Sequence, residues 1–294
     1  MTMNKSKQVV HFYKMQGAGN DYVYILALNE VPENLPLLSR KISDRHFGVG
    51  GDGLVVIMQS SRADFRMRMF NSDGSEAQMC GNAIRCVAKL IHDLGLSDKN
   101  PLTIETLAGI RVLDMTFKEG EVSEVKVDMG EPILERASVP VSVSGEGPMV
   151  SEEVEVNGMT FNVTAVSMGN PHGVIFVSSI DDELVHKTGS LLEKAEVWPE
   201  KANIEFVVVN SRKEVTMRVW ERGSGETLAC GTGASATVVA AVLNGLTDRK
   251  VTVHLLGGDL KVEWSEADNH VYLTGPAVLV AEGDYYPGSF PGMV

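Results

Sequence analysis

The chain is poor in several things, and each shortage removes a class of function. It has three cysteines in 294 residues, an odd number and too few for a disulfide framework. It has no apolar run approaching the ~18 residues that a membrane-spanning helix needs. Its first residues, MTMNKSKQVVHFYK, carry a little basic charge but no apolar stretch of the signal-peptide kind. Reduced thiols and a cytoplasmic location are therefore expected. Lys and Arg number 26 against 39 Asp and Glu, a net charge of -13, so the clustered basic surface that binds nucleic acid or an anionic membrane is not to be expected. No phosphate-binding Gly loop, zinc-type His/Cys spacing, Gly-x-Ser-x-Gly elbow or pyridoxal-type lysine signature is present. What remains, 44% apolar and 22% charged residues, is the composition of a globular protein long enough for two domains.

The one repeat in the chain is as long as half of it. Cys80-Gly81-Asn82 and Cys230-Gly231-Thr232 lie 150 residues apart, each after a Gly-rich turn and before an apolar run. At the same offset, without a gap, Gly19-Asn20 falls on Gly169-Asn170, Met67-Arg68 on Met217-Arg218, and Glu76 on Glu226. Matches by chance favour common apolar residues, and these are Gly, Asn, Arg, Glu and Cys. The third cysteine, Cys86, falls on Ala236, so the repeat does not require a thiol there, and a buried free cysteine is ordinary packing.

Strands are expected at Val9–Tyr13, Tyr22–Leu28, Leu54–Ile57 and Ala63–Phe70, the last ending in the turn Asn71-Ser72-Asp73-Gly74. From Asn82 to Leu94 the positions Ile84, Val87, Ala88, Ile91 and Leu94 follow helical spacing, and Gly95 ends the run. In the second copy Ala234 to Leu243 is apolar nearly all round, as a buried helix is, although Thr237-Val238-Val239 alone suits a strand. The segment from Ser138 to Val154, rich in Pro, Ser, Gly and Glu, is the expected neighbourhood of the connection between the halves.

The placement of the two thiols suggests chemistry. Each precedes a helix whose first N–H groups have no partner within the helix and carry its positive end. Such an environment favours thiolate and binds carboxylate. Two of them acting on one amino acid could clamp its carboxylate while one thiolate takes the α-proton and the opposite thiol returns another. No cofactor and no metal is needed for this.

At these residues the chain resembles the diaminopimelate epimerases. The resemblance is carried by Gly17-Ala18-Gly19-Asn20-Asp21, Phe70-Asn71-Ser72-Asp73-Gly74-Ser75-Glu76, Cys80-Gly81-Asn82 with Arg85-Cys86, Gly169-Asn170-Pro171-His172, Asn203-Ile204-Glu205-Phe206, and Glu221-Arg222-Gly223 through Gly225-Glu226-Thr227 to Cys230-Gly231-Thr232-Gly233. It implies an isomerase that inverts one α-carbon of LL-diaminopimelate to give the meso form, without a cofactor, in lysine and peptidoglycan precursor biosynthesis. It implies an α/β fold of the α+β type: two pseudo-symmetric domains, each a β-rich, barrel-like sheet around a central helix, with the active site between them, in a homodimer. The expected half-domains are 1–128 with 276–294, carrying Cys80, and 129–275, carrying Cys230.

The same resemblance makes Cys80 and Cys230 the acid–base pair. It assigns Gly81, Asn82, Gly231 and Thr232 to the reacting carboxylate, Glu221 to the ammonium group and Arg222 to the distal carboxylate. Asn20, Asn71, Asn170 and Asn203 would fix the distal stereocentre, with His172 in support. The family usually has His and Leu where this chain has Gln16 and Ala18, and Gly where it has Ala83. A sister two-cysteine racemase of the histidine type is the alternative. A thiol redox protein would lack its Cys-x-x-Cys, and a non-catalytic amino-acid binding module leaves two matched cysteines unexplained. In the repeat Asn71 falls on Glu221 and Gly53 on Asn203, and these unequal positions are expected to choose the substrate.

Overall fold

The computed structural model describes residues 9–143 and 145–287. The expectations for residues 1–8 and for the end of the first half-domain at 288–294 lie outside the described residues. The chain divides into two compact units, Met1–Val125 with Pro276–Val294, and Lys126–Gly275.

The first unit contains β1 (Val10–Gly17), β2 (Asn20–Ala27), α1 (Leu35–Ile42), β3 (Gly53–Met58), β4 (Phe65–Asn71), β5 (Glu76–Ala77), α2 (Gly81–Asp93), β6 (Leu102–Thr106) and β7 (Gly109–Lys118). β8 (Glu121–Asp128) then carries the chain across the boundary. The second unit contains β9 (Glu152–Val156), β10 (Met159–Ser167), β11 (Pro171–Phe176), a π-helical turn at Leu184–Thr188, α3 (Gly189–Leu192), β12 (Asn203–Ser211), β13 (Glu214–Glu221), β14 (Gly225–Glu226), α4 (Gly231–Leu243), β15 (Lys250–Leu255), β16 (Gly258–Trp264) and β17 (Val271–Gly275). β18 (Val278–Tyr285) belongs to the first unit again.

The two sheets repeat one another. The first runs β18-β1-β2-β3-β4-β6-β7, with β2/β3 and β4/β6 parallel and the other pairs antiparallel. The second runs β9-β10-β11-β12-β13-β15-β16-β17, with β11/β12 and β13/β15 parallel. Even the register repeats: Tyr22 pairs with Gly53 as His172 pairs with Asn203, each 150 residues on. The offset slips by one residue after the helix, where Phe65 opposite Ile104 corresponds to Val215 opposite Val253.

Each sheet curls around a helix. β1 and β7 lie far apart in the first sheet, yet both contact α2; β10 and β16, far apart in the second, both contact α4. The helices span residues 81–93 and 231–243, identical under the offset. Each ends alike, with Gly95 and Gly245 at φ 64° and 70°. Their N–H groups bond His92 O and Val242 O, and the following N–H groups bond Ile91 O and Ala241 O. This is the left-handed Gly closure that a side chain with a Cβ disfavours. In α4 the run Gly233–Ala241 is buried without a break, so Thr237, Val238 and Val239 are helical because the surrounding sheet overrides their strand preference.

The opposite face of the first sheet is covered by α1, whose Leu35, Leu38 and Ile42 pack with Val23, Ile25, Leu54, Val56 and Phe70. This helix is absent from the sequence reading, although Asn34, whose side chain caps Leu37 N, and Pro36 announce it. The segment from Ser138 to Val154 is not the connection between the halves: it lies within the second unit. The chain crosses inside the regular strand β8, and the Gly-rich stretch is instead a loop pinned by Arg136, which donates to Gly147 O (3.0 Å) and to Glu152 Oε2 (3.0 Å).

The repeated Arg and Glu residues hold the turn before each helix. Arg68 grips Glu76 through Nε (2.6 Å) and Nη2 (2.9 Å), and Arg218 grips Glu226 at 2.6 and 3.0 Å. The second pair is drier, its side chains 15% and 17% exposed against 28% and 29%. The Arg218 hydrogen bonds hold the Glu226 carboxyl below its ordinary range. A carboxylate so depressed adds stability above its unfolded pKa and loses it as the pH falls. Arg218→Met should therefore lower unfolding free energy by about 1–3 kcal/mol at neutral pH. The difference from the parent should shrink below about pH 4. Arg68→Met should cost less. Denaturant melts at several pH values measure both.

Candidate functional site

Within the first unit, Cys80 is the residue before α2, in extended conformation (φ -136°, ψ 123°), and half-buried. Gly81 and Asn82 are the first two residues of the helix, and its first turn contains no acidic side chain. The Cys80 sulfur lies 3.3 Å from Oδ1 of Asn20, the first residue of β2. Asn20 follows a tight hairpin in which Ala18 and Gly19 have φ 52° and 81°. The turn is closed by Gln16, whose Oε1 accepts from Gly19 N at 2.9 Å. Gln16 and Ala18, where the chain departs from its family, thus build the turn that presents Asn20. Asn71 ends β4 opposite Gly53, and its amide donates to Ser75 Oγ at 3.0 Å.

Cys86 is elsewhere in chemical terms. It is fully buried, and burial pushes its thiol up to about 11. Tyr24, whose hydroxyl donates to Ala83 O, is buried beside it and likewise raised. Arg85 is buried completely: Nη1 donates to Gly81 O (3.0 Å) and Nε to Pro276 O (3.2 Å), while Nη2 has no hydrogen-bond partner among the described residues.

Within the second unit Cys230 has the same place and conformation (φ -120°, ψ 111°), but it is buried, and its sulfur accepts from Gly233 N at 3.3 Å. Gly231 and Thr232 open α4, and Thr232 Oγ1 is 3.5 Å from the sulfur. Burial raises the Cys230 thiol well above the ordinary range, and the carboxylates of Glu221 and Glu205 add to that. Glu221 ends β13 and takes the Thr227 hydroxyl; burial raises it in turn.

Beneath them lies a buried relay. His172 Nδ1 is 2.7 Å from Glu205 Oε1, both side chains fully buried, and His172 Nε2 is 3.0 Å from Asn170 Oδ1. Glu205 Oε2 has no partner among the described residues. A Cβ on Gly233 would stand 2.7 Å from Glu205 Oε1, so the first turn of α4 sits directly on this carboxylate. Asn203 opens β12 and is buried; its amide donates to Pro171 O (3.0 Å) and its oxygen accepts from Arg222 N (2.9 Å). It therefore ties the Arg222 turn to β11. Arg222 is exposed and donates to Glu200 O at 3.1 Å.

The resemblance gave Asn20 and Glu221 roles toward the substrate without placing either against a sulfur; the fold brings Asn20 to Cys80, and Glu221 to Cys230, each within its own unit. It missed Glu205, Thr227 and Glu193. The last receives Trp220 Nε1 (3.0 Å) and Gly223 N (3.1 Å) and so fixes the turn that bears Arg222. Glu205 had a signal: a charge inside the apolar run Ile204-Glu205-Phe206-Val207. Nothing local marks Glu193.

Exposure separates the three thiols. Iodoacetamide should modify Cys80 first, Cys230 much more slowly and Cys86 only on unfolding, as peptide mass mapping over time will show. Modification of Cys86 ahead of Cys230 would contradict the described burial.

Comparison with known proteins gives a consistent picture. The family model described as diaminopimelate epimerase matches residues 12–135 and 164–280. The chain is 56% identical over 275 residues to a diaminopimelate epimerase of Acetivibrio thermocellus, covering 94% of this chain and 98% of that one. It is 55% identical over 273 residues to a diaminopimelate epimerase of Methanococcus maripaludis, covering 93% and 98%. Among solved structures, a phenazine biosynthesis protein of the PhzF family from Bacillus anthracis superposes with TM-score 0.67 at 18% identity, covering 94% of this chain and 99% of that one. A hydroxyproline epimerase from Agrobacterium vitis does so with TM-score 0.66 at 13% identity, covering 95% and 91%. At such identities these two share the fold, two pseudo-symmetric sheet-rich domains.

Proposed function

The chain belongs to the diaminopimelate epimerase family, and from that premise we propose that it interconverts LL- and meso-diaminopimelate by passing the α-proton between Cys80 and Cys230. The observation that carries the reading is the pair of matched thiols. Each is held extended at the start of a 13-residue helix with no acidic residue in its first turn.

One thiolate removes the proton from the α-carbon; the electron pair left behind spreads onto the carboxylate. The N–H groups of Gly81, Asn82, Gly231 and Thr232 stabilise that charge. The second thiol then delivers its proton to the other face, and the sulfur that gave the proton becomes the thiolate. Charge and protons balance within the two sulfurs and the substrate. Glu221 supplies a carboxylate for the ammonium group. Pairing with that cation cancels part of the field that keeps Cys230 protonated, so binding itself prepares the thiol for exchange. Arg222 meets the distal carboxylate, for which its guanidinium fork is suited. Asn20, Asn71 and Asn170 hold the distal stereocentre, and Asn203 acts with them by fixing the Arg222 turn. His172 supports Asn170 through the Glu205 relay.

The catalytic halves are 1–128 with 276–294, and 129–275. The enzyme is a cytoplasmic homodimer in this reading. The apolar run Val278-Leu279-Val280 of β18, exposed by 41, 40 and 59%, supports association with a second copy. Among the described residues no helix is long and apolar enough to cross a membrane.

Solvent deuterium should enter the α-position of diaminopimelate in the presence of the enzyme. Cys80→Ala and Cys230→Ala should each retain the fold and lose epimerisation by about 10³-fold or more, while Cys86→Ala stays close to the parent. Mild oxidation should join Cys80 to Cys230 reversibly. Near-normal turnover in either alanine variant, or strong turnover of histidine with none of diaminopimelate, would overturn the reading.

A further inference from the structure

We propose that Asp52 is a positioning residue for the reaction: it locks the Asn20 amide so that the oxygen, and not the nitrogen, meets the Cys80 sulfur. The catalytic part of this rests on the two-thiol reading above; the effect on Cys80 itself does not.

The chemistry of the contact fixes the orientation. Asp52 Oδ2 is 2.6 Å from the Asn20 side-chain nitrogen, and a carboxylate can only accept, so the group facing it must be the NH2. A planar amide then directs Oδ1 the other way, to Cys80, 3.3 Å off. An amide oxygen accepts an S–H proton and disfavours S⁻; an amide nitrogen does the reverse. Rotating this one amide by half a turn would therefore switch which state of Cys80 is favoured.

Asp52 is itself held on every side. Arg45 Nη2 donates to its Oδ1 at 2.9 Å, Asp21 N donates to its Oδ2 at 3.0 Å, and its own N–H donates to Asp21 O at 2.7 Å. Arg45 also spans both oxygens of Asp21 (2.8 and 3.3 Å), which Lys14 pairs from the other side. The contacts thus form a chain, Lys14–Asp21–Arg45–Asp52–Asn20–Cys80. None of it follows from the shared fold, because the repeat places Thr164, Pro171, Ala195 and Ala202 where Lys14, Asp21, Arg45 and Asp52 stand. The network is specific to the half in which the thiol is half-buried.

Tyr24, Cys86 and Arg85 also act on Cys80, and the Asp52 substitutions leave all three in place. Tyr24 on β2 and Cys86 on α2 are kept protonated by burial, and the Arg85 guanidinium is tied to Gly81 O and Pro276 O.

The test compares Asp52→Ala with Asp52→Asn, reading the pH dependence of iodoacetamide modification at Cys80 and the epimerisation rate. Asp52→Ala frees the amide. Cys80 should react about tenfold faster at neutral pH, a shift of about one pH unit in its profile, and kcat should fall by about 10- to 100-fold. Asp52→Asn keeps an acceptor for the Asn20 NH2 without the charge, and its Cys80 profile should stay with the parent. In an Asn20→Ala background the Asp52→Ala change should move nothing. If Asp52→Ala does not fold, Asp52→Ser, whose shorter side chain withdraws the acceptor from the Asn20 nitrogen, should shift the profile the same way. Equal shifts in the Ala and Asn variants would mean that only the charge acts and would overturn the proposal, as would no shift in either. A shifted Cys80 profile in protein that never epimerises diaminopimelate would uphold the amide lock and sink the functional reading instead.

Discussion

The structure depends on one constraint: in each unit a whole helix is enclosed by a curled sheet, and the chain must enter that helix through an extended cysteine. Enclosure takes most of the helix out of reach of solvent, while its first N–H groups have no acceptor within the helix itself. Neither first turn offers an acidic side chain. In α4 one of these donors, Gly233 N, turns to the sulfur of Cys230. The register of the strands, the Arg–Glu clamp before each helix and the Gly closures after it all serve to place that entry point. They recur at the same offset because the entry point does.

The two copies then diverge in charge, and they diverge beside the sulfurs. Under Cys80 lie Tyr24, Val55 and the neutral amide of Asn20; at Cys230 the corresponding strand brings Glu205 in place of Val55, and β13 ends in Glu221 in place of Asn71. Burial raises the Cys230 thiol well above its ordinary range, and the carboxylates of Glu221 and Glu205 add to that. The Cys80 sulfur meets the amide oxygen of Asn20. Duplication gives the two cysteines the same place before a helix, and unequal neighbours give their sulfurs different surroundings.

Much of this was legible in the sequence, and the legible parts share a physical cause. The repeat, both helices and their Gly endings were readable because periodicity and Gly placement act locally. The contrast of Cys86 with the other thiols was readable because symmetry does not demand it. The connection between halves was misread because Pro and Gly mark loops, not boundaries, and this chain crosses inside a strand. α1 was overlooked because eight residues offer only two turns of pattern. Glu193 and Asp52 were invisible for a different reason: each acts on a partner some 30 residues away, Trp220 and Asn20, through contacts that only the sheet order creates.

The buried His172–Glu205 pair constrains how the helix can start in the second unit. A charged carboxylate inside a core is tolerated only when paired and hydrogen-bonded. Glu205 Oε1 meets His172 Nδ1, and Oε2 has no hydrogen-bond partner among the described residues. The position of Glu205 below the first turn also crowds any side chain at Gly233, since a Cβ there would stand 2.7 Å from Glu205 Oε1 and 3.2 Å from the Cys230 sulfur. The first unit has Val55 and Ala83 at the matching places and needs neither concession. Gly233, three residues after Cys230, is thus favoured by the acid beneath it, and the acid bears on the thiol above it. Glu205 therefore bears on the helix start through Gly233, and on the Cys230 sulfur together with burial and Glu221, so a change at Glu205 should be felt at both.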